Sequence, residues 1–187
     1  MAALASKHYT EASLGRLFMG TTAVAGAKPP AYNATAHTFC LWNPAGSGKN
    51  IVPIRLAMGF VDTTGAAGNV VLSYQSGVGA QAATGSPITA FTHVAPINCL
   101  VGSGKASIAK FAPAAATFAA GTSLLRTTGI SELVTTATDA TNMYSKASED
   151  FDGTLIVPPG TAICVAGNIA LLSNFDITLI WAEIDED

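Results

Sequence analysis

The sequence predicts an all-β protein: an antiparallel, jelly-roll-like β-sandwich behind an extended N-terminal arm. Three observations carry this. First, about eight short apolar runs are separated by Gly- and Pro-rich turns, with no helices alternating between them. Second, the 187 residues include 34 Ala, 21 Thr, 18 Gly and 9 Pro. Third, charged residues make up only 11 %, against about 25 % in an average domain. Long solvated helices and coiled coils need Glu and Lys that this chain lacks. With 49 % hydrophobic residues, a disordered chain is excluded as well.

The domain reading is an arm over residues 1–35 and a sandwich over 36–187. In the arm, Glu11 to Met19 suits a short helix or irregular segment, and Pro29-Pro30 keeps the following chain extended. Leu17 to Ala25 has the apolar character of a secretory leader. Glu11 ahead of it and Gly20-Thr21-Thr22 within it speak against that reading.

His37 to Trp42 alternates as a strand, with Thr38, Cys40 and Trp42 on one face and His37, Phe39 and Leu41 on the other. Asn43 to Gly48 is a turn cluster. Ile51 to Val61 is a second strand, and Pro53 inside it requires an edge or a bulge. Asp62 to Asn69 is a turn, Val70 to Gln75 a strand and Ser76 to Pro87 a Gly/Ala loop. Ile88 to Val94 and Ile97 to Val101 read as strands, followed by a turn over Gly102 to Ser107. Phe111 to Ala120 is Ala-rich and is read as a marginal short helix. Ser123 to Thr128 is a short strand, and Glu132 to Asp150 a long loop with room for a short strand. Gly153 to Val157 and Thr161 to Ala166 are strands flanking Pro158-Pro159-Gly160. Asp176 to Ile184 is the last strand. It is apolar on both faces, so it is expected to be central and buried between layers.

Net charge is −3, which gives no field that would attract nucleic acid. Residues 1–60 sum to +4 and residues 61–187 to −7, so a basic start and an acidic tail have the means to pair. A mean hydropathy of +0.40 with so few charges indicates a surface facing other protein. No stretch suits a membrane-spanning helix, because Gly, Pro, Ser, Asn and Gln interrupt every apolar run. Cys40, Cys99 and Cys164 show no metal-ligand spacing. Cys40 and Cys164 lie in apolar runs and are read as buried free thiols, with folding in a reducing environment. Asn33-Ala34-Thr35 fits a glycosylation acceptor by pattern alone.

Candidate chemistry is sparse. Ser47-Gly48-Lys49 and Ser103-Gly104-Lys105 lack the first glycine and the trailing Ser or Thr of a phosphate-binding loop, so both read as turns. His8, His37 and His93 are too far apart in sequence for a two-histidine strand site. There is no GxSxG elbow. Asp150 and Asp152 lack the ligand spacing of a calcium loop. The expectation is therefore no catalytic, cofactor or metal residues. Phe39, Trp42, Phe60, Ile156, Leu179 and Trp181 are the expected core anchors.

Three segments resemble small jelly-roll structural proteins of tailed bacteriophages. Thr38-Phe39-Cys40-Leu41-Trp42-Asn43-Pro44-Ala45-Gly46-Ser47-Gly48-Lys49-Asn50, with the apolar strand to Gly59, resembles their opening hairpin. Gly153 to Ala162, containing Ile156-Val157-Pro158-Pro159-Gly160, resembles the hairpin before their penultimate strand. Thr178 to Ile184, with Trp181 and Glu183, resembles their closing strand. The resemblance implies a non-enzymatic virion protein, a capsid cement or decoration protein. It would be made in the host cytoplasm and bind the outside of the shell as a homotrimer, with the major capsid protein as partner. Neither nucleic acid nor membrane is an expected partner.

On that reading the arm is long enough to span subunits, since 35 extended residues cover roughly 100 Å, and the sequence leaves open whether it reaches a neighbour or folds back. Its candidate attachment residues are Lys7, His8, Arg16, Leu17, Phe18, Lys28, Pro29, Pro30 and Tyr32. The alternative is a receptor-binding or tail-associated jelly-roll module that recognises a host glycan or protein. Loops 76–87 and 132–150 hold just one aromatic, Tyr144, which favours the cement reading over a receptor binder.

Overall fold

A computed structural model describes residues 8–61, 68–77, 88–132 and 147–186. Among them are one short helix, α1 (Tyr9–Ser13), and twelve strands. The strands are β1 (Leu17–Thr21), β2 (Ala36–His37), β3 (Cys40–Asn43), β4 (Lys49–Phe60), β5 (Gly68–Ser76) and β6 (Ile88–Val94). They continue as β7 (Ile97–Asn98), β8 (Lys110–Phe118), β9 (Ser123–Glu132), β10 (Ala147–Asp150), β11 (Thr161–Gly167) and β12 (Phe175–Asp185).

Two antiparallel sheets form a sandwich. The five-stranded sheet runs β10-β4-β12-β1-β7, and the seven-stranded sheet runs β2-β8-β3-β11-β5-β9 with β6 on β8. Take away β2, β6, β7 and β8, and β1-β12-β4-β10 faces β3-β11-β5-β9. The chain crosses between sheets at each step except from β5 to β9, which is jelly-roll wiring. β6, β7 and β8 are inserted at that one exception.

The inner faces meet in one large core. Phe39, Phe111, Trp181 and Phe18 form an aromatic chain across it, with ring centroids 4.9, 6.3 and 6.5 Å apart in that order. Gly20 on β1 admits the Phe111 ring. A Cβ there would lie 2.8 Å from ring carbons, so any larger residue would displace the aromatic chain. Pro53 sits where the pairing of β4 with β12 slips by one residue, a bulge that accommodates its missing N–H.

Several expectations are corrected. Residues 110–118 are strand β8 rather than a helix. Long-range pairing with β3, β2 and β6 outweighs the helix propensity of alanine, and Pro113 lies at a register shift against β6. Residues 153–157 form no strand, because only Val157 pairs, as an isolated bridge to Ile51. Leu155 and Val157 therefore turn toward the core, and Ile156, expected as a core anchor, is 56 % exposed. Phe39, Trp42, Leu179 and Trp181 are buried, and Phe60 is half-buried against the core. The last strand, β12, is central within its sheet, yet only its inner face lies between layers.

Cys40 and Cys164 are not free thiols: they form a disulfide between paired positions of β3 and β11. Alternation hid both side chains, and the register of β11 against β3 placed them directly opposite each other on one face. Cys99 is the free cysteine, and burial pushes its thiol pKa up, which keeps it protonated.

The segment read as an arm is woven into the body from residue 8 onward. β1 lies between β12 and β7, and Leu17 and Phe18 are buried. The carbonyls of Pro29 and Pro30 accept from Leu171 N and Gly167 N at 3.0 and 2.7 Å, and Tyr32 N donates to Gly167 O. Extended Pro-flanked chain has free backbone groups, and here the sandwich takes them up.

Candidate functional site

The outer face of the five-stranded sheet follows from the alternation of its strands. On β12, Ile177, Leu179 and Trp181 point into the core, so Ile180, Ala182 and Ile184 point outward. Val52 and Ile54 of β4 and Leu17 of β1 share that outer face. Ala12 of α1 packs on this cluster, and Ile54, Ala182 and Leu17 are buried. Val52, Ile180 and Ile184 remain half-buried. The apolar strip thus extends beyond what the helix covers.

At one end of the strip is an open groove of about 660 Å³ lined by Asn50, Val52, Ile156, Ile184, Asp185 and Glu186. Its walls come from three stretches far apart in sequence: the start of β4, the 153–157 segment and the end of β12. Two buried polar side chains fix this end. Asn43 donates from Nδ2 to the carbonyls of Lys49 (2.7 Å) and Val157 (2.8 Å), and its Oδ1 accepts from Ser47 Oγ at 2.7 Å. Its own carbonyl accepts from Gly160 N, and Gly48 O accepts from Glu186 N. The Asn-Pro and Pro-Pro-Gly turns are therefore stapled to each other. Ser47-Gly48-Lys49 is a turn, as expected, with Gly48 at φ 67°, but not a hairpin: it carries the chain from β3 in one sheet to β4 in the other.

Glu183 is buried at the same end of β12. It accepts from Ser107 Oγ and from the backbone N–H groups of Ile108 and Ala109. Such a carboxylate, ringed by donors, positions the 102–109 loop. The sequence marked Glu183 as part of the closing strand, but nothing local signals that its partners lie 74–76 residues away.

At the opposite edge of the sheet, a second apolar group surrounds the turn Leu100–Ser103. Val101 stands at its tip, 86 % exposed, beside exposed Leu100, Ile97 and Leu14. Asn98 Nδ2 donates to Gly15 O, and Lys105 Nζ donates to Leu14 O, which ties this turn to the end of α1.

Of the attachment residues expected from sequence, Lys7 lies outside the described residues. Leu17, Phe18 and Pro29 are buried; Lys28 is exposed, and His8, Pro30 and Tyr32 are half-buried. Arg16 is paired with Glu11 at 3.9 Å. The acidic tail pairs with the basic half of the chain through Lys49 and Asp185, 3.5 Å apart. Sequence reading missed Ile156, Ile184 and Val101 as surface groups, because an isoleucine or valine in a strand-like run is ordinarily core.

Among the described residues, no three His, Cys, Asp or Glu side chains come together to hold a metal ion. No helix among them is long and apolar enough to cross a membrane. Comparison of the chain with family models, curated proteins and solved structures finds no match.

Proposed function

We propose that this chain is a non-enzymatic virion structural protein. It acts as a capsid cement or decoration protein that binds the outside of a phage shell as a homotrimer and clamps neighbouring major capsid subunits. The observation that carries this reading is the half-buried aliphatic strip of Val52, Ile180 and Ile184, continued by Ile156. A rigid jelly roll with such a strip gains by covering it with protein: about 25 cal/mol is released per Å² of apolar surface buried, before ordering costs. The convergence of all three phage-like segments on the groove supports the same reading. A receptor binder would call for displayed aromatic rings, and among the described residues Tyr9 is the one large aromatic that is exposed.

The test is light scattering on the purified chain, followed by heating of capsids with and without it. A trimer that binds capsids and raises their melting temperature is the expected result. A chain that stays monomeric at high concentration and leaves capsid stability unchanged would end the reading.

A further inference from the structure

Resting on that assembly reading, we propose that the copies join head to tail through the two edges of the five-stranded sheet. The Leu100–Ser103 turn of one copy enters the groove of the next. The edges differ in shape, since Val101 projects as an aliphatic tip while Val52, Ile156 and Ile184 line a concavity. They also differ in charge. Beside the tip are Arg16 and Lys105 against Glu11, net +1; at the groove are Asp185 and Glu186 against Lys49, net −1.

A two-fold contact would set either edge against itself, like charge on like charge and tip on tip. A contact between unlike edges matches both charge and shape. Because the tip follows β7 at one edge of the sheet, while the groove lies on the β4 side, at Asn50 and Val52, beyond the stretch of β4 that β10 pairs with, each copy offers one of each to its neighbours. That is the heterologous arrangement that closes into a ring, which three copies complete on the reading above.

Two surface substitutions test this on the full chain. Val101→Glu removes the tip and Ile156→Asp spoils the groove. Both side chains are exposed, so circular dichroism should show an unchanged fold. Each variant alone is expected to be monomeric. Mixed, they should form a one-to-one heterodimer, because the intact groove of the first accepts the intact tip of the second and no ring can close. Lys105→Glu and Glu186→Lys should each weaken assembly by about fivefold, and the double reversal should restore it. A wild-type trimer indifferent to Val101→Glu and Ile156→Asp would overturn these surfaces and leave the assembly reading standing. A wild-type monomer would overturn both.

Discussion

The outer face of the seven-stranded sheet is closed, whereas that of the five-stranded sheet is half open. On the closed side Cys40, Trp42, Ala112, Ala116, Phe118, Ala162 and Cys164 form a buried cluster, with Phe91 edge-on to Trp42 at 5.7 Å. On the open side Leu17, Ile54 and Ala182 are buried, but Val52, Ile180 and Ile184 keep part of their surface in solvent. Both faces arise from strands that are apolar on alternate sides. Small residues let the closed face pack tightly and carry a covalent cross-link. Branched aliphatic residues on the open face leave a surface with something to gain from a partner.

The largest effect should come from placing the same charge on each face. Ala162→Asp buries an unpaired carboxylate on the closed side and is expected to cost more than about 4 kcal/mol. Ile180→Asp, on a half-buried position, should cost about 1 kcal/mol. Urea denaturation of the two variants measures both. Equal losses would show that the open face is as closed as the other.

The disulfide comes next. Cys40 and Cys164 are 124 residues apart, so a double Cys40→Ala/Cys164→Ala variant should lose about 4 kcal/mol of unfolding free energy. With both side chains buried, mild reductant should leave the native protein oxidised until it unfolds. A variant as stable as wild type would mean that packing alone holds the closed face.

The smallest effect is a pH dependence on the closed side. His37 on β2 is buried, and its Nε2 contacts Ala34 O at 3.0 Å and Thr122 Oγ at 3.1 Å. Ala34 O only accepts, so Nε2 carries the proton, and Nδ1 is buried with no hydrogen-bond partner among the described residues. Burial holds the imidazole below its ordinary value of 6.5, outweighing the opposing pull of the Ala34 carbonyl. The unfolded chain therefore binds the proton more readily than the folded one. The stability His37 supplies as a neutral ring is complete above about pH 6.5 and is lost as pH falls through the lower folded value. Thermal melts between pH 8 and pH 5 should show this slope, and His37→Phe should flatten it.

Much of the architecture was legible from alternation and turns. The opposed faces of Phe39/Leu41 and Cys40/Trp42, the bulge at Pro53, the turn at Asn43–Gly48 and the central place of the last strand all follow from local pattern. His37 does not: read on the face of Phe39 and Leu41, it pairs with Ala116 and packs on Phe118 on the face of Cys40 and Trp42, because the pairing with β8 slips between β2 and β3. The candidate surface was less legible. Ile184 and Ile156 read as core because strand-like aliphatic residues usually are, and nothing in their neighbourhood announces an uncovered face. The course of residues 8–35 was illegible for a related reason. Extended chain beside prolines looks free until distant residues take its hydrogen bonds, as Gly167 and Leu171 do for Pro30 and Pro29.

By itself, then, the sequence determined which residues alternate, where the chain turns and that apolar surface would exceed what a small sandwich can hide. These depend on neighbours a few positions away. The tertiary structure decided which of the two outer faces is closed, that residues 110–118 extend rather than coil, and that Cys40 meets Cys164. Each of those outcomes depends on pairing between positions far apart in the chain, where the energy of long-range contact exceeds local preference.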